Sequence, residues 1–141
     1  MKDTANKKKQ KSAKKEPDVF QTYLAEYLYD QVVWYHDHKD EENAISKLFR
    51  IENFHMEIPN SPYIAYLMER NVRMEKDANG AVIGLERISC AITVIDPEMA
   101  APVYYCTAYL NKKGAGNVVV MPYNNKGPQI SKMHRINFSL I

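Results

Sequence analysis

Residues able to hold a metal cluster first at His36-Asp37-His38, followed at once by Asp40, Glu41 and Glu42. Imidazoles and carboxylates are the ligands of zinc and related ions, but a site needs three or four of them to converge. Local spacing works against that. On a helix, residues two apart project about 200° around the axis and cannot share an ion. A third ligand would have to come from His55, His134 or a nearby carboxylate, and no spacing requires it. The stretch reads as a solvated helix end, and no metal is expected.

General acid–base catalysis needs a histidine or carboxylate in a water-poor cleft. The available groups are His55, Glu57, Asp96, Glu98 and His134, and no motif forces any of them beside another. His134 alternates with Ile136, Phe138 and Leu140 and so faces inward, where packing at a sheet edge is enough to explain it. Cys90 lies on an apolar strand face and reads as a small buried hydrophobe. Neither it nor Cys106 has a flanking base or cation to lower its pKa. Two cysteines cannot build a disulfide scaffold, and they fit a reducing compartment. The sequence contains no nucleophile elbow, P-loop or Cys-x-x-Cys pair. No catalytic residue and no cofactor are expected.

Lys112-Lys113-Gly114-Ala115-Gly116 resembles a phosphate loop in composition, yet it leads into a strand and lacks the helix terminus that completes an anion site. It reads as a hairpin turn, and in a meander it lies at the opposite end from Lys126. Tyrosine is over-represented, with ten residues. Tyr105 and Tyr109 share a strand face with Val103 and Thr107, while Tyr23 and Tyr27 lie on the first helix. Aromatics on a sheet can stack unpaired bases or anchor a protein interface. No basic residues interleave with them locally, which favours the interface.

Positive charge is concentrated at the start of the chain. Residues 1–16 hold seven lysines against Asp3 and Glu16, and the other 125 residues hold 12 basic and 15 acidic groups. A net charge of +2 thus conceals a basic tail on an acidic body. The tail has too little apolar surface to offset the entropy of ordering, so it is expected to be disordered when free. Lys7, Lys8, Lys9, Lys11, Lys14 and Lys15 are the expected nucleic-acid contacts, neutralising phosphates without reading bases. A solubilising role for the tail is the competing reading.

The elements that must position these residues follow from periodicity. Phe20, Leu24, Tyr27, Leu28, Val32 and Tyr35 recur at helical intervals after Pro17 and Asp18, which suit a helix start. A second helix is expected from Asp40, burying Ala44, Ile45, Leu48 and Phe49. Phe54–Ile58 reads as a short strand ended by Pro59, and Ser61-Pro62 opens a third helix burying Ile64, Leu67 and Met68. From Val72 the pattern alternates. Asp77-Ala78-Asn79-Gly80 has turn composition, and a long strand runs from about Val82 to Ile95 with a bend near Gly84. Further strands are expected at Val103–Leu110, Asn117–Tyr123 and Ile130–Leu140.

At 141 residues the chain suits one α+β domain, 17–141, behind the tail 1–16. N-terminal helices pack on a curled four- to five-stranded antiparallel meander. By architectural analogy this is similar to cystatin-like or nuclear-transport-factor-like cones, with a hotdog-like arrangement around Ser61–Asn71 as runner-up. The apolar runs are too short for a membrane span, and the lysine-rich start is not followed by a secretory apolar stretch. These features point to a non-enzymatic, cytoplasmic accessory or assembly protein. Its body docks on a protein partner or on its own copies, and its tail contacts nucleic acid. The alternative is a ligand-binding or enzymatic cone with a pocket between sheet and helices.

Overall fold

The computed structural model describes residues 17–50, 54–55 and 61–140. The lysine tail, and the disorder expected of it, lie outside the described residues, as do Glu57 and the His55 side chain.

Asp18 starts the first helix, α1 (Val19–His38), through a reciprocal capping box. Its carboxylate accepts from the Gln21 N–H at 2.8 Å, and Gln21 Oε1 accepts from the Asp18 N–H at 3.1 Å. The second Asp18 oxygen accepts from the Tyr104 hydroxyl at 2.8 Å, which ties the helix start to the sheet. Gln21 is buried, and its amide donates to the carbonyls of Val120 at 3.2 Å and Lys132 at 2.9 Å. A buried amide with its protons satisfied fixes orientation without an unpaired polar group.

The helix expected from Asp40 is only one turn, α2 (Ala44–Lys47). Asn43 and Phe49 on either side have φ of 69° and 57°, so the chain turns sharply at both ends. The expected stripe is buried nevertheless: Ala44, Leu48 and Phe49 are shielded and Ile45 packs on the core. Arg70 substitutes for the missing helical bonds. Its Nε donates to the Leu48 carbonyl at 2.8 Å and its Nη2 to the Ile45 carbonyl at 2.5 Å.

The third expected helix is a strand. Residues from Ser61 to Asn71 enter β2 (Ile64–Lys76), which pairs along nearly all of β3 (Val82–Asp96), and this removes the hotdog-like arrangement. The sequence pattern misleads here for a physical reason. Leu67 pairs with Ile92 and Glu69 with Ala91, leaving Met68 as the extra residue of a bulge. Inward positions therefore run Ala65, Leu67, then Arg70, Val72, Met74, and a strand that changes phase imitates helical spacing.

Around this pair lie β1 (Phe54–His55), β4 (Ala101–Asn111), β5 (Ala115–Asn124), β6 (Gly127–Pro128) and β7 (His134–Ser139). Ile130–Lys132, expected to begin the last strand, form a single 3₁₀ turn. Among the described residues the sheet thus has seven strands, two of them only two residues long, rather than four or five. All pairings are antiparallel; the order is β1-β2-β3-β4-β5, with β6 and β7 both on the far side of β5. Met68 on β2, Ile83 and Glu86 on β3, and Val103 on β4 are each skipped in the pairing, and these bulges curl the sheet. Val103, expected beside Tyr105, packs on the core at one of them.

The fold is therefore α+β: one long helix against a curled antiparallel sheet. Leu24, Ala25, Leu28 and Val32 of α1 meet Ile88, Ile92, Val94, Cys106, Ala108, Val118 and Val120, and Leu48 and Phe49 complete the same cluster. Contacts of α1 fall on β4, β5 and β7. No helix among the described residues is long and apolar enough to cross a membrane.

Candidate functional site

The inner face of the sheet is packed with buried side chains. Register sets Cys90 opposite Ala108 and Cys106 opposite Ile92, so the two thiols are diagonal neighbours facing α1, both free and buried. Burial pushes the Cys90 thiol up to about 12 and raises Cys106 as well, so neither presents a thiolate. Burial, aided by the hydrogen bond to Asp18, also raises the Tyr104 hydroxyl. His134 is on this side too, opposite Val120 at the end of β7 and half-buried. His36 and His38 both belong to α1. His38 stacks on Trp34 with ring centroids 4.5 Å apart, and its Nδ1 lies 2.7 Å from the Trp34 carbonyl. Lys47 covers the Trp34 ring at 5.8 Å. Asp96 accepts from the Glu98 N–H at 3.0 Å in a turn. Among the described residues, no three histidine, cysteine or carboxylate side chains converge on a metal position.

The outer face has different chemistry. Residues alternating with the core positions fall into cross-strand rows. Tyr66, Thr93, Tyr105 and Met121 form one row, and Glu69, Ala91, Thr107, Val119 and Arg135 the next. Asn71, Ser89, Tyr109, Asn117 and Asn137 form the third. Ala91 and Val119 at the centre are only 5% and 6% exposed, while Tyr105 and Tyr109 beside them are half-buried. Both tyrosines singled out by the sequence are on this face, two rows apart.

Arg73 and Arg87, which local sequence reasoning misses, lie in the row beyond Tyr109. They are directly opposed across β2 and β3, and with Asn71, Val72, Ser89 and Tyr109 they line an open groove of about 730 Å³. Like charges opposite one another are unfavourable. Glu86 relieves one of them, 3.4 Å from Arg73 Nε. A signal for Arg87 exists in the sequence: the Ser89-Ala91-Thr93 alternation, run back two residues, reaches it. Arg73 joins it only through the inter-strand register.

A second concavity, about 890 Å³, opens where the end of α1 meets the β4–β5 turn. Tyr35, His36, Lys39, Glu75, Lys112 and Lys113 are among its lining. Lys112 is engaged by Glu75 at 2.7 Å, which raises its pKa. The turn is closed from within: Asn111 Oδ1 accepts from the N–H groups of Lys113 and Ala115 at 2.9 and 3.1 Å. Two of the amides that a phosphate would need are therefore spent. Lys126 lies in the turn at the other end of β5, as the meander requires.

Lys7, Lys8, Lys9, Lys11, Lys14 and Lys15 lie outside the described residues. No protein-family model, curated protein or solved structure matches the chain.

Proposed function

We propose that this chain is a non-enzymatic, cytoplasmic accessory or assembly protein. Its body docks on a protein partner or on its own copies, and its lysine tail holds nucleic acid without sequence preference. The body follows the plan of a cystatin-like or nuclear-transport-factor-like cone in which the space between sheet and helix is occupied by side chains. The observation that carries the reading is the contrast between that filled interior and the outer face. Leu24, Leu28, Ile88, Ile92, Val118 and Val120 are fully shielded between α1 and the sheet, whereas Tyr66, Tyr105, Tyr109, Arg73 and Arg87 line the outer side. Tyrosine and arginine are the residue types enriched in docking surfaces.

The test is a salt titration of labelled duplex and single-stranded oligonucleotides. If about five tail lysines each displace a counterion, log affinity for duplex DNA falls against log salt with a slope of roughly −4 to −5. Replacing Lys7, Lys8, Lys9, Lys11, Lys14 and Lys15 by serine should abolish binding to every sequence alike. Binding unchanged in the serine variant would move the contact to the Tyr105–Tyr109 face. No binding by the parent protein at low salt removes nucleic acid from the proposal. A second reading, a small-ligand or enzymatic domain, rests on the cleft at the end of α1, and a ligand that protects His36 and Lys113 from chemical modification would favour it.

A further inference from the structure

We propose that two copies of this chain pair along β7, joining their sheets into one continuous antiparallel sheet with a two-fold axis at Asn137. This rests on the self-associating reading of the body and names the surface that carries it. Among the described residues β7 pairs only with β5, so its other side is an open edge.

The direction of the backbone groups on that edge follows from one hydrogen bond. The Leu140 N–H donates to the Gly114 carbonyl at 2.8 Å, in continuation of the β5–β7 register. Backbone groups alternate in direction along a strand, so Phe138, Ile136 and His134 also turn theirs toward β5. Arg135, Asn137 and Ser139 turn their N–H and C=O groups outward.

An antiparallel partner centred on Asn137 meets all three. Asn137 pairs with the partner's Asn137, Arg135 with the partner's Ser139, and Ser139 with the partner's Arg135. Each pair exchanges two backbone hydrogen bonds. On the inner face the same register sets Ile136 against the partner's Phe138, in the pairing class where side chains approach most closely. Both are half-buried in the single chain, and Phe138 already contacts Tyr29 with ring centroids 5.7 Å apart. The apolar row of the core therefore continues across the axis.

Charge disfavours one alternative register. An axis at Arg135 would oppose two guanidiniums, which is unfavourable, whereas the axis at Asn137 sets each against a serine. β7 has no proline, no lysine and no bulge against β5, so Arg135 is the permanent charge that its edge carries. Among the described residues, the opposite edge, β1, is two residues long.

The experiment is sedimentation equilibrium of the full chain, without nucleic acid, up to about 100 µM, the range in which a short strand pair of modest affinity associates. The expected result is a concentration-dependent dimer. Asn137→Pro removes an outward N–H that β5 does not use, so it should leave the circular dichroism spectrum unchanged and weaken the dimer at least tenfold. Ser139→Glu sets a carboxylate against the partner's Arg135 twice and should tighten the dimer about threefold, while Ser139→Arg should loosen it by a similar factor. A monomer throughout, a dimer untouched by a folded Asn137→Pro variant, or a reversed or absent response to the two Ser139 substitutions each overturns the proposal. If Asn137→Pro fails to fold, the Ser139 pair decides alone. A monomer that still binds oligonucleotides through its tail overturns the strand pairing and leaves the nucleic-acid reading standing.

Discussion

The two faces of the sheet are made by the same strands and differ by a single residue in phase. Along β4, Tyr104, Cys106, Ala108 and Leu110 are buried beneath α1, while Tyr105, Thr107 and Tyr109 are half-exposed on the other side. The inner face holds its polar groups in closed arrangements, such as Gln21 with two carbonyls and Arg70 with two more. On the outer face two arginines oppose each other with one carboxylate near them. The polar groups named on the inner face bond to backbone carbonyls, and those on the outer face meet one another across the strands. The difference separates the residues that hold the fold from those available to a partner.

The sharpest way to break this comparison is to cut into the inner face. Leu28→Ala deletes a fully buried side chain from the centre of α1 and should cost about 2–5 kcal/mol, read from urea unfolding. A loss below about 1 kcal/mol, the usual cost of an ordinary substitution, means that the interior is less tightly filled than described.

A smaller effect should appear on raising pH. Cys90 and Cys106 have folded-state pKa values above the ordinary thiol value of 9.0, so the native state retains protons that the unfolded chain releases. Their stabilising contribution is whole below pH 9 and is lost as pH climbs toward 12. Over the first unit above 9 the loss should be about 1 kcal/mol for each thiol, and it should shrink when both are replaced by alanine. An unfolding free energy that stays flat through that window contradicts the burial of the pair.

The smallest effect is expected on the outer face. Tyr109→Ala removes a half-buried ring from the side of the sheet opposite α1, and should change stability by less than about 1 kcal/mol by thermal melting. A loss as large as that of Leu28→Ala erases the distinction between the two faces.

Much of this architecture is legible along the chain because local chemistry dictates it. Asp18 and Gln21 advertise a helix start by type and spacing, and the Ile88-Cys90-Ile92-Val94 alternation identifies the inner face of β3. Asp77 orders its turn by accepting from Asn79 and Ala81, as turn composition predicts. What stays hidden depends on partners far away in sequence. The extra residue at Met68 hides β2, because its phase change is visible only against β3. Short α2 is hidden because Arg70 supplies bonds from 22 and 25 residues further on. Part of the candidate site is legible in the same uneven way: Tyr105 and Tyr109 stand out by composition, whereas the approach of Arg73 to Arg87 is a property of register.

The contacts of α1 also constrain the order in which the molecule can assemble. Gln21 reaches the carbonyls of Val120 and Lys132, 99 and 111 positions later, and most of the packing of α1 is on β4, β5 and β7, with a smaller contact to α2. During synthesis, α1 therefore precedes the strands on which it packs and finds its seat last. Hairpins of the meander can close one after another in its absence, but their apolar side stays open until the C-terminal strands arrive. Loop-closure entropy over almost the whole chain must be met in that final docking step, which makes folding slow for a protein of this size. Until then the unfinished sheet is the species most exposed to aggregation and to capture by chaperones.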